Sequence, residues 1–423
     1  LIAKSNVCRI CGSNLVSVFD LGSLAAVVFP NNKADSVFSY PLCLAKCDSS
    51  KSDGVCGLVQ LWESVDSDLL YKEYFYRSGI NESMKSHLLE IANRVTQLVG
   101  GVSDGPVLDI GCNDGTLLRY YKSLGWSQLY GFDPAENVVG LADDVGANVV
   151  PDFFSSEIFF GESEKKAKVI SSIAMFYDLE NPNDFVRQIA ESLAVGGVWV
   201  TEQSSLVHML KMSSFDTMCH EHLEYYSLAV IERLLKTNQL EIVDLYDTDS
   251  NGGSMQLYVS HIGSVVRTTE AEGRINLFRK CEADFCVDSF EALVKFKDDV
   301  TRVCCELHRI VDGLVREGKR VFIYGASTKG LTIVLLANLS SLISGCSDRD
   351  SRKWGRYYSN TGISIMSEED ARKQNPDCFL VLPWHFVDGF IERESDYLKS
   401  GGSFLVPLPF PYMVNYEKSR VSG

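Results

Sequence analysis

The chain has no apolar run near the roughly 20 residues that a bilayer span needs, so no transmembrane helix is expected. Positive charge is scarce: 40 Lys and Arg stand against 56 Asp and Glu, a net charge of −16. That balance argues against nucleic acid or an anionic membrane surface as a partner, and a negatively charged substrate then needs a local cationic pocket. The opening residues, Leu1-Ile2-Ala3-Lys4-Ser5-Asn6, lack both a signal-peptide pattern and an initiating Met, so we expect a trimmed start and a cytoplasmic location. Short-period repeats and low-complexity tracts are missing. The zinc-protease pattern His-Glu-x-x-His fails because Glu224 stands where its second His belongs. What remains is globular composition, 45% hydrophobic and 23% charged, over 423 residues, enough for two or three domains. Thirteen Cys with no secretion signal point to a reducing compartment, with metal ligands and free thiols rather than disulfides.

Those cysteines have a pattern. Cys8-Arg9-Ile10-Cys11 is a Cys-x2-Cys knuckle, a spacing that suits a turn aiming two sulfurs at one metal. Cys43, Cys47 and Cys56 follow, and Cys56 leads into Gly57-Leu58-Val59-Gln60-Leu61. Two thiolate pairs can close a tetrahedral Zn2+ site. The second pair is less regular, because the polar insert 48–54 separates Cys47 from Cys56. We expect Cys8, Cys11, Cys47 and Cys56 as the ligands, with Cys43 in reserve. The role should be structural, since four Cys leave no open coordination position.

Pro106-Val107-Leu108-Asp109-Ile110-Gly111-Cys112-Asn113-Asp114-Gly115-Thr116-Leu117-Leu118 reads as a short strand, a Gly-bearing turn and a helix start, and glycine lets backbone approach a ligand closely. A second strand, Leu129 to Phe132, ends in Asp133-Pro134, where an acid can hydrogen-bond ribose hydroxyls. Asp-x-Gly-x-x-x-Gly is not the dinucleotide fingerprint. It resembles motif I of class I methyltransferases, which bind S-adenosylmethionine (SAM). On that resemblance the turn, with Asp109, Gly111, Asn113, Asp114 and Gly115, holds the amino-acid end, and Asp133 with Pro134 holds the ribose. Asp152-Phe153-Phe154 lies near the adenine. Val169 to Ile173 reads as a fourth strand, Phe185 to Leu193 as a helix, and Gly196 to Gln203 as a turn and fifth strand.

The densest proton-handling chemistry is Cys219-His220-Glu221-His222-Leu223-Glu224-Tyr225-Tyr226. Leu228 to Leu235 looks helical and Leu240 to Tyr246 looks like a strand, so the cluster is expected on a loop before a helix, near the strand ends where such sheets bind ligands. Either His can serve as a general base near neutral pH, and Glu221 can orient it or carry a proton.

In all these stretches the chain resembles the sugar C-methyltransferases of deoxysugar pathways. The resemblance runs through Cys8 to Cys11, Cys56 to Leu61, Tyr74-Phe75-Tyr76-Arg77-Ser78-Gly79, Val107 to Leu118, Phe176-Tyr177-Asp178-Leu179-Glu180-Asn181-Pro182, Cys219 to Ser227 and Asn251-Gly252-Gly253-Ser254. It ends with Tyr324-Gly325-Ala326-Ser327-Thr328-Lys329-Gly330 and Leu382-Pro383-Trp384-His385-Phe386. It implies an α/β protein in three parts: a small zinc-binding module (1–70), a class I SAM-methyltransferase Rossmann-like domain (71–265) and, after connecting helices (266–310), a C-terminal Rossmann-like α/β domain (311–423). The implied substrate is a nucleotide-diphosphate 4-keto-6-deoxysugar, methylated on the carbon beside the keto group, usually C3. His222 is the base on the family pattern, with His220 as its rival. Glu221 is close to a sugar hydroxyl or orients the base, and Tyr76 touches the sugar. Relatives carry Tyr where this chain has Cys219, so one substrate hydrogen bond is in doubt here.

Arg320 to Gly330 repeats the strand, Gly turn and helix start. Backbone N–H groups at a helix N-terminus suit a phosphate, and Lys329 adds charge. Gly-x4-Gly-Lys is missing, so this is no Walker loop. The resemblance implies substrate contacts from Asn251, Gly252, Tyr324, Ser327, Thr328 and Lys329. Trp384 and His385 line the pocket or form a structural pair. Between the domains, Phe278, Phe285, Phe290, Leu293, Phe296 and Val300 fall near i, i+3, i+4 spacing, which predicts a pair of connecting helices. Two rival readings keep most of these features: an O- or N-methyltransferase of the same fold, and a non-catalytic zinc and nucleotide-sugar binding protein.

Overall fold

The computed structural model describes residues 2–4, 6–26, 29–35, 37–48, 54–71 and 74–416. Most of the polar insert after Cys47 (residues 49–53) lies outside them. The middle of the chain builds a seven-stranded sheet. Its four-residue strand Val107–Ile110 is buried throughout, as a parallel strand covered on both faces is, with Asp109 the one polar residue among three apolar ones. Leu129–Phe132 and then Asn148–Val150 extend the sheet on one side, and Ala167–Ile173 and then Leu193–Ser204 on the other, all in parallel. The strand Ser254–His261 runs antiparallel between Leu193–Ser204 and Leu240–Thr248. Gly196-Gly197, expected as a turn, lies inside the strand Leu193–Ser204, which absorbs the irregularity as a register shift between Leu193 and Val198.

The C-terminal domain has a six-stranded sheet, ordered Ile365–Met366, Gly345–Ser347, Val321–Tyr324, Cys378–Val381, Ser403–Val406 and Tyr412–Val414. Every pairing is parallel except the last. That is the doubly wound 3-2-1-4-5-6 order, with its ligand crevice outside the carboxyl ends where the order reverses. Both α/β domains are therefore of the expected Rossmann-like kind.

Two helices link the sheets, Thr269–Asp284 and Phe290–Arg316, capped by the Thr268 and Ser289 side chains. Phe278, Leu293, Phe296 and Val300 are buried, as the stripe predicts, whereas Phe285 falls in the break between the helices and is 41% exposed. The second helix continues to Arg316, so no break falls at residue 310.

The N-terminal module is a small antiparallel sheet, and its fourth strand comes from far away. Leu15–Ala25, Ser39–Cys47 and Val59–Leu61 pair in sequence, and Glu224–Tyr225 adds to the edge with Glu224 opposite Gln60 and Tyr225 opposite Val59. The acid–base stretch thus ends as a strand of the metal module's sheet, a long-range pairing that no local pattern announces.

Candidate active site

Sulfur geometry settles which cysteines gather. The Sγ atoms of Cys8, Cys11, Cys47 and Cys56 all lie within 4.8 Å of one another. Cys8–Cys56 is 3.4 Å, Cys47–Cys56 3.6 Å and Cys11–Cys47 4.0 Å. Four thiolates about 2.3 Å from a tetrahedral Zn2+ stand ~3.8 Å apart, so the residues fit the ion. Hydrogen bonds from Cys56 and Cys8 pull the Cys47 thiol down, while contact with Cys47 holds Cys8 and Cys56 up. Cys43 sits elsewhere, its Sγ 3.3 Å from Ser17 Oγ.

The first Gly turn and the acid after the second strand are locked together. The Asn113 N–H donates to Asp133 Oδ2 at 2.8 Å and the Ala135 N–H to Oδ1 at 2.9 Å, fixing the carboxylate at the sheet's carboxyl edge. Gly111 has φ +73°, and a Cβ there would come 3.2 Å from the Met175 side chain. Burial pushes the Asp109 carboxyl up to about 7 despite the Ser171 hydroxyl at 2.6 Å, and the neighbouring Asp133 charge adds to this. A strand, a Gly turn and a buried acid on the next strand form a cradle that suits the amino-acid and ribose parts of SAM.

Asn113 and Asp114 serve a purpose that the sequence did not announce. The Ser78 N–H donates to Asn113 Oδ1 at 3.0 Å, Asn113 Nδ2 to the Tyr76 carbonyl at 3.1 Å, and the Gly79 N–H to Asp114 Oδ2 at 2.9 Å. These bonds tie the Tyr76–Gly79 segment to the Gly turn. Gly115 takes φ +75° against Ala142, where a Cβ would clash at 2.7 Å. Tyr76 is 48% exposed, Phe153 is 41% exposed, and Asp152 accepts its neighbour's N–H.

His222 and Glu221 are each 8% exposed, on the loop that enters the strand Glu224–Tyr225. His222 Nδ1 donates to the Thr217 carbonyl at 2.8 Å, which fixes the ring and leaves Nε2 without a proton. Burial first, and the Lys329 charge second, depress His222 to about 3, and the Thr217 bond opposes them. Burial raises Glu221 to about 7 against the pull of Lys329. Tyr177 packs edge-on to the His222 ring at 4.4 Å, and Tyr71 Oη donates to the Glu221 carbonyl at 2.9 Å.

His220 faces the other way. Its Nε2 donates to the Tyr40 carbonyl at 3.1 Å, so it braces the metal module and does not join His222. Cys219 does join: its Sγ, a Glu221 oxygen and a His222 nitrogen lie within 4.8 Å of one another. The three donors suit proton chemistry better than a dication, because the Lys329 charge acts on each of them and burial keeps the Cys219 thiol protonated. Asp178, quoted only as part of a motif, belongs here too. Burial and then the Glu221 charge raise its carboxyl, and its Oδ1 has no hydrogen-bond partner. The signal was available, since Asp178 follows the fourth strand at the order-reversal crevice.

The C-terminal crevice closes on the same loop. Trp384 Nε1 donates to Asp216 Oδ2 at 2.9 Å, Thr332 Oγ1 to the Met218 carbonyl at 3.2 Å, and Lys329 Nζ to the Asn251 carbonyl at 3.4 Å. Gly252, at φ +90°, lies flat on Trp384, where a Cβ would meet the indole at 3.0 Å. Trp384 and His385 contact edge to face, burial depresses His385 to about 3, and its Nδ1 is buried without a partner. Ser327 Oγ caps the helix Thr328–Leu336 through the Gly330 N–H at 3.0 Å. Tyr324 does not reach the crevice. Its hydroxyl donates to Glu394 Oε1 at 2.9 Å and accepts from Arg393, because its place in the strand turns it into the domain's own charged network.

A family model described as "Putative zinc binding domain" matches residues 8–71, one described as "Methyltransferase domain" matches 80–245, and one described as "C-methyltransferase C-terminal domain" matches 249–409. The chain is 27% identical over 428 residues to the C-methyltransferase NovU of Streptomyces niveus, covering 99% of each. Among solved structures, the plantazolicin methyltransferase BpumL with SAH is 18% identical over 43% of this chain and 86% of its own, at TM-score 0.34. Magnesium protoporphyrin IX methyltransferase from Synechocystis PCC 6803 is 16% identical over 44% and 90%, at 0.33. Those two likenesses are too slight to bear on function. Three domain models in one order, and a relative matched from end to end, support one activity, that of a SAM-dependent C-methyltransferase.

Proposed function

We propose that the chain methylates the carbon beside the keto group, C3, of a nucleotide-diphosphate 4-keto-6-deoxysugar. The observation that carries this reading is the neutral, oriented His222 imidazole between two facing crevices, with Lys329 beside it. Bound SAM supplies an electrophilic methyl group. The cradle of Gly111, Gly115 and Asp133 holds it.

The work left to the chain is to make a carbon nucleophile. His222 Nε2 takes the proton alpha to the ketone, and the charge that develops on the ketone oxygen needs a donor or cation nearby. Lys329 is that cation, and Glu221 and Asp178 are carboxyl groups that burial keeps ready to hold or give a proton at a sugar hydroxyl. A diphosphate near Lys329 and the N-terminus of the helix Thr328–Leu336 would offset the charge that depresses His222, so an anionic substrate strengthens its own base. Tyr76 flanks the sugar from the N-terminal side, and Asn251, Gly252, Trp384 and His385 form the opposite wall.

The test is mass spectrometry of SAM reactions with thymidine-, guanosine- and uridine-linked 4-keto-6-deoxysugars in deuterated water. We expect one of the three to gain a methyl at C3. His222→Asn should abolish both methyl transfer and uptake of deuterium at that carbon while leaving SAM affinity intact. Full exchange in His222→Asn would remove His222 as the base.

A further inference from the structure

Arg9 occupies a position that metal binding alone does not explain. It lies between two of the four clustered cysteines, where Cys8 N–H donates to the Ser13 carbonyl and Gly12 N–H to the Cys8 carbonyl, closing the knuckle turn. Its backbone is pinned on both sides. The Arg9 N–H donates to Gln60 Oε1 at 3.0 Å, and Asn183 Nδ2 donates to the carbonyls of Arg9 and Ile10 at 3.0 and 2.9 Å. The side chain then leaves the knuckle for the loop that carries His222.

There the guanidinium meets three groups. Its Nη1 donates to the Leu61 carbonyl at 2.8 Å and to the Leu223 carbonyl at 3.4 Å. Its Nε stands 3.5 Å from Glu224 Oε1, with side-chain exposures of 5% and 0%. Leu223 and Glu224 are the two residues that follow His222. Burial raises the Glu224 carboxyl, the Arg9 charge is the largest influence holding it down, and among the described residues the cation that reaches this carboxyl is Arg9. The same stretch joins the metal module by backbone bonds: Leu61 N–H donates to the Leu223 carbonyl at 2.8 Å, and Glu224 and Tyr225 pair with Gln60 and Val59.

A buried ion pair is a poor stabiliser, because desolvation offsets most of the attraction, and its best-attested use is to set register. A two-residue strand is a weak register device, and a one-residue slip would turn every side chain to the opposite face. Here a slip would carry His222 away from Thr217 and Tyr177. A guanidinium suits this position because one planar fork reaches two carbonyls and a carboxylate, which an ammonium does not.

We propose that Arg9 is a positioning residue for the base. Anchored in the zinc knuckle, it fixes Glu224 and Leu223 and so holds His222 on its site, and emptying the four-cysteine site loosens the His222 loop. This rests on His222 being the base, but the test needs no substrate, so failure of the clamp and failure of the base assignment are read separately.

The experiment follows amide hydrogen exchange across residues 217–226 and acylation of His222 by diethyl pyrocarbonate in the full chain, with zinc content and SAM affinity measured alongside. We expect Arg9→Met to keep one zinc per chain and its SAM affinity, while exchange in 219–226 and His222 acylation rise at least tenfold. Arg9→Lys should fall between Arg9→Met and the parent protein, a graded rescue that a generally damaged fold would not give. Removing zinc with a chelator should loosen the same peptide. Should Arg9→Met lose its metal, Glu224→Gln decides, since it replaces the carboxyl that Arg9 meets, far in sequence from the cysteines, and keeps the shape. The surface ion pairs of Arg187 with Asp184 and Glu191 provide the control, and Arg187→Met should change nothing. Unchanged exchange and acylation in a zinc-loaded Glu224→Gln protein would overturn the proposal.

Discussion

Asp348 repeats Asp133. Each ends the second strand of its sheet. Each takes the N–H of a residue in the first Gly turn on Oδ2 at 2.8 Å, and that of the residue two positions on at Oδ1, at 2.9 Å for Asp133 and 2.8 Å for Asp348. The difference is a cation. Lys353 Nζ lies 3.2 Å from Asp348 Oδ2 and donates to the Ala326 carbonyl at 2.8 Å, whereas no ion pair forms on Asp133 among the described residues. We propose Asp133, which has no competing cation, as the acid that accepts from the ribose. Asp133→Asn should weaken SAM binding by roughly 10- to 100-fold, the scale of hydrogen bonds to a charged group, and Asp348→Asn should leave it unchanged. Calorimetry of both variants separates the two sheets.

Metal content discriminates among the five N-terminal cysteines. Cys47→Ser or Cys11→Ser should abolish stoichiometric zinc, and Cys43→Ser should retain one ion per chain, because the Cys43 sulfur lies against Ser17. Elemental analysis of the purified variants is sufficient. Zinc loss in Cys43→Ser with retention in Cys47→Ser would exchange their roles.

The Lys329 charge holds both Glu221 and His222 below what burial alone would give. Removing a positive charge makes a proton easier to keep on either group, so both move up. The break in the pH profile of substrate deuterium exchange, expected near pH 7 where Glu221 titrates, should shift upward by about one unit in Lys329→Met. A break that stays in place would mean that another group sets it.

Buried acids predict an unusual stability profile for the ligand-free protein. Asp109, Glu221 and Glu282 are each raised to about 7, burial being the largest cause in every case. A carboxyl whose folded-state value is raised holds its proton more tightly in the native state, so its contribution is fully present below the unfolded value near 4. It is lost as pH rises to about 7. Thermal stability should therefore decline between about pH 4 and 7. Asp109→Asn, neutral at every pH, should flatten that decline by on the order of 4 kcal/mol, measured as denaturant unfolding at both ends of the range.

The two Gly turns, the acid Asp133 after the second strand of its sheet and the Cys-x2-Cys knuckle could be read from the sequence because each depends on residues a few positions apart. Backbone conformation and metal geometry act at that range. The strand Glu224–Tyr225 could not, because what makes it a strand is an edge supplied by residues 59–61. His220 and His222 look alike in sequence, and only the fold sends one ring to the Tyr40 carbonyl and the other to Thr217. Tyr324 turns away from the crevice for a similar reason: strand alternation and the Glu394 carboxylate decide where its ring goes. Asp178, Tyr71 and Arg9 come to the site from three separate segments, and no motif names them together.

The borrowed fourth strand also bears on how the chain is made. The edge of Val59–Leu61 leaves the ribosome long before its partner, which follows roughly 160 residues later, on the order of ten to thirty seconds at ordinary synthesis rates. For that interval the metal module presents an unpaired β-edge, the kind of surface that other chains can join. A fragment ending near residue 71, where the zinc-domain match stops, would carry that open edge permanently. The module should therefore be isolated only together with the segment that holds His222.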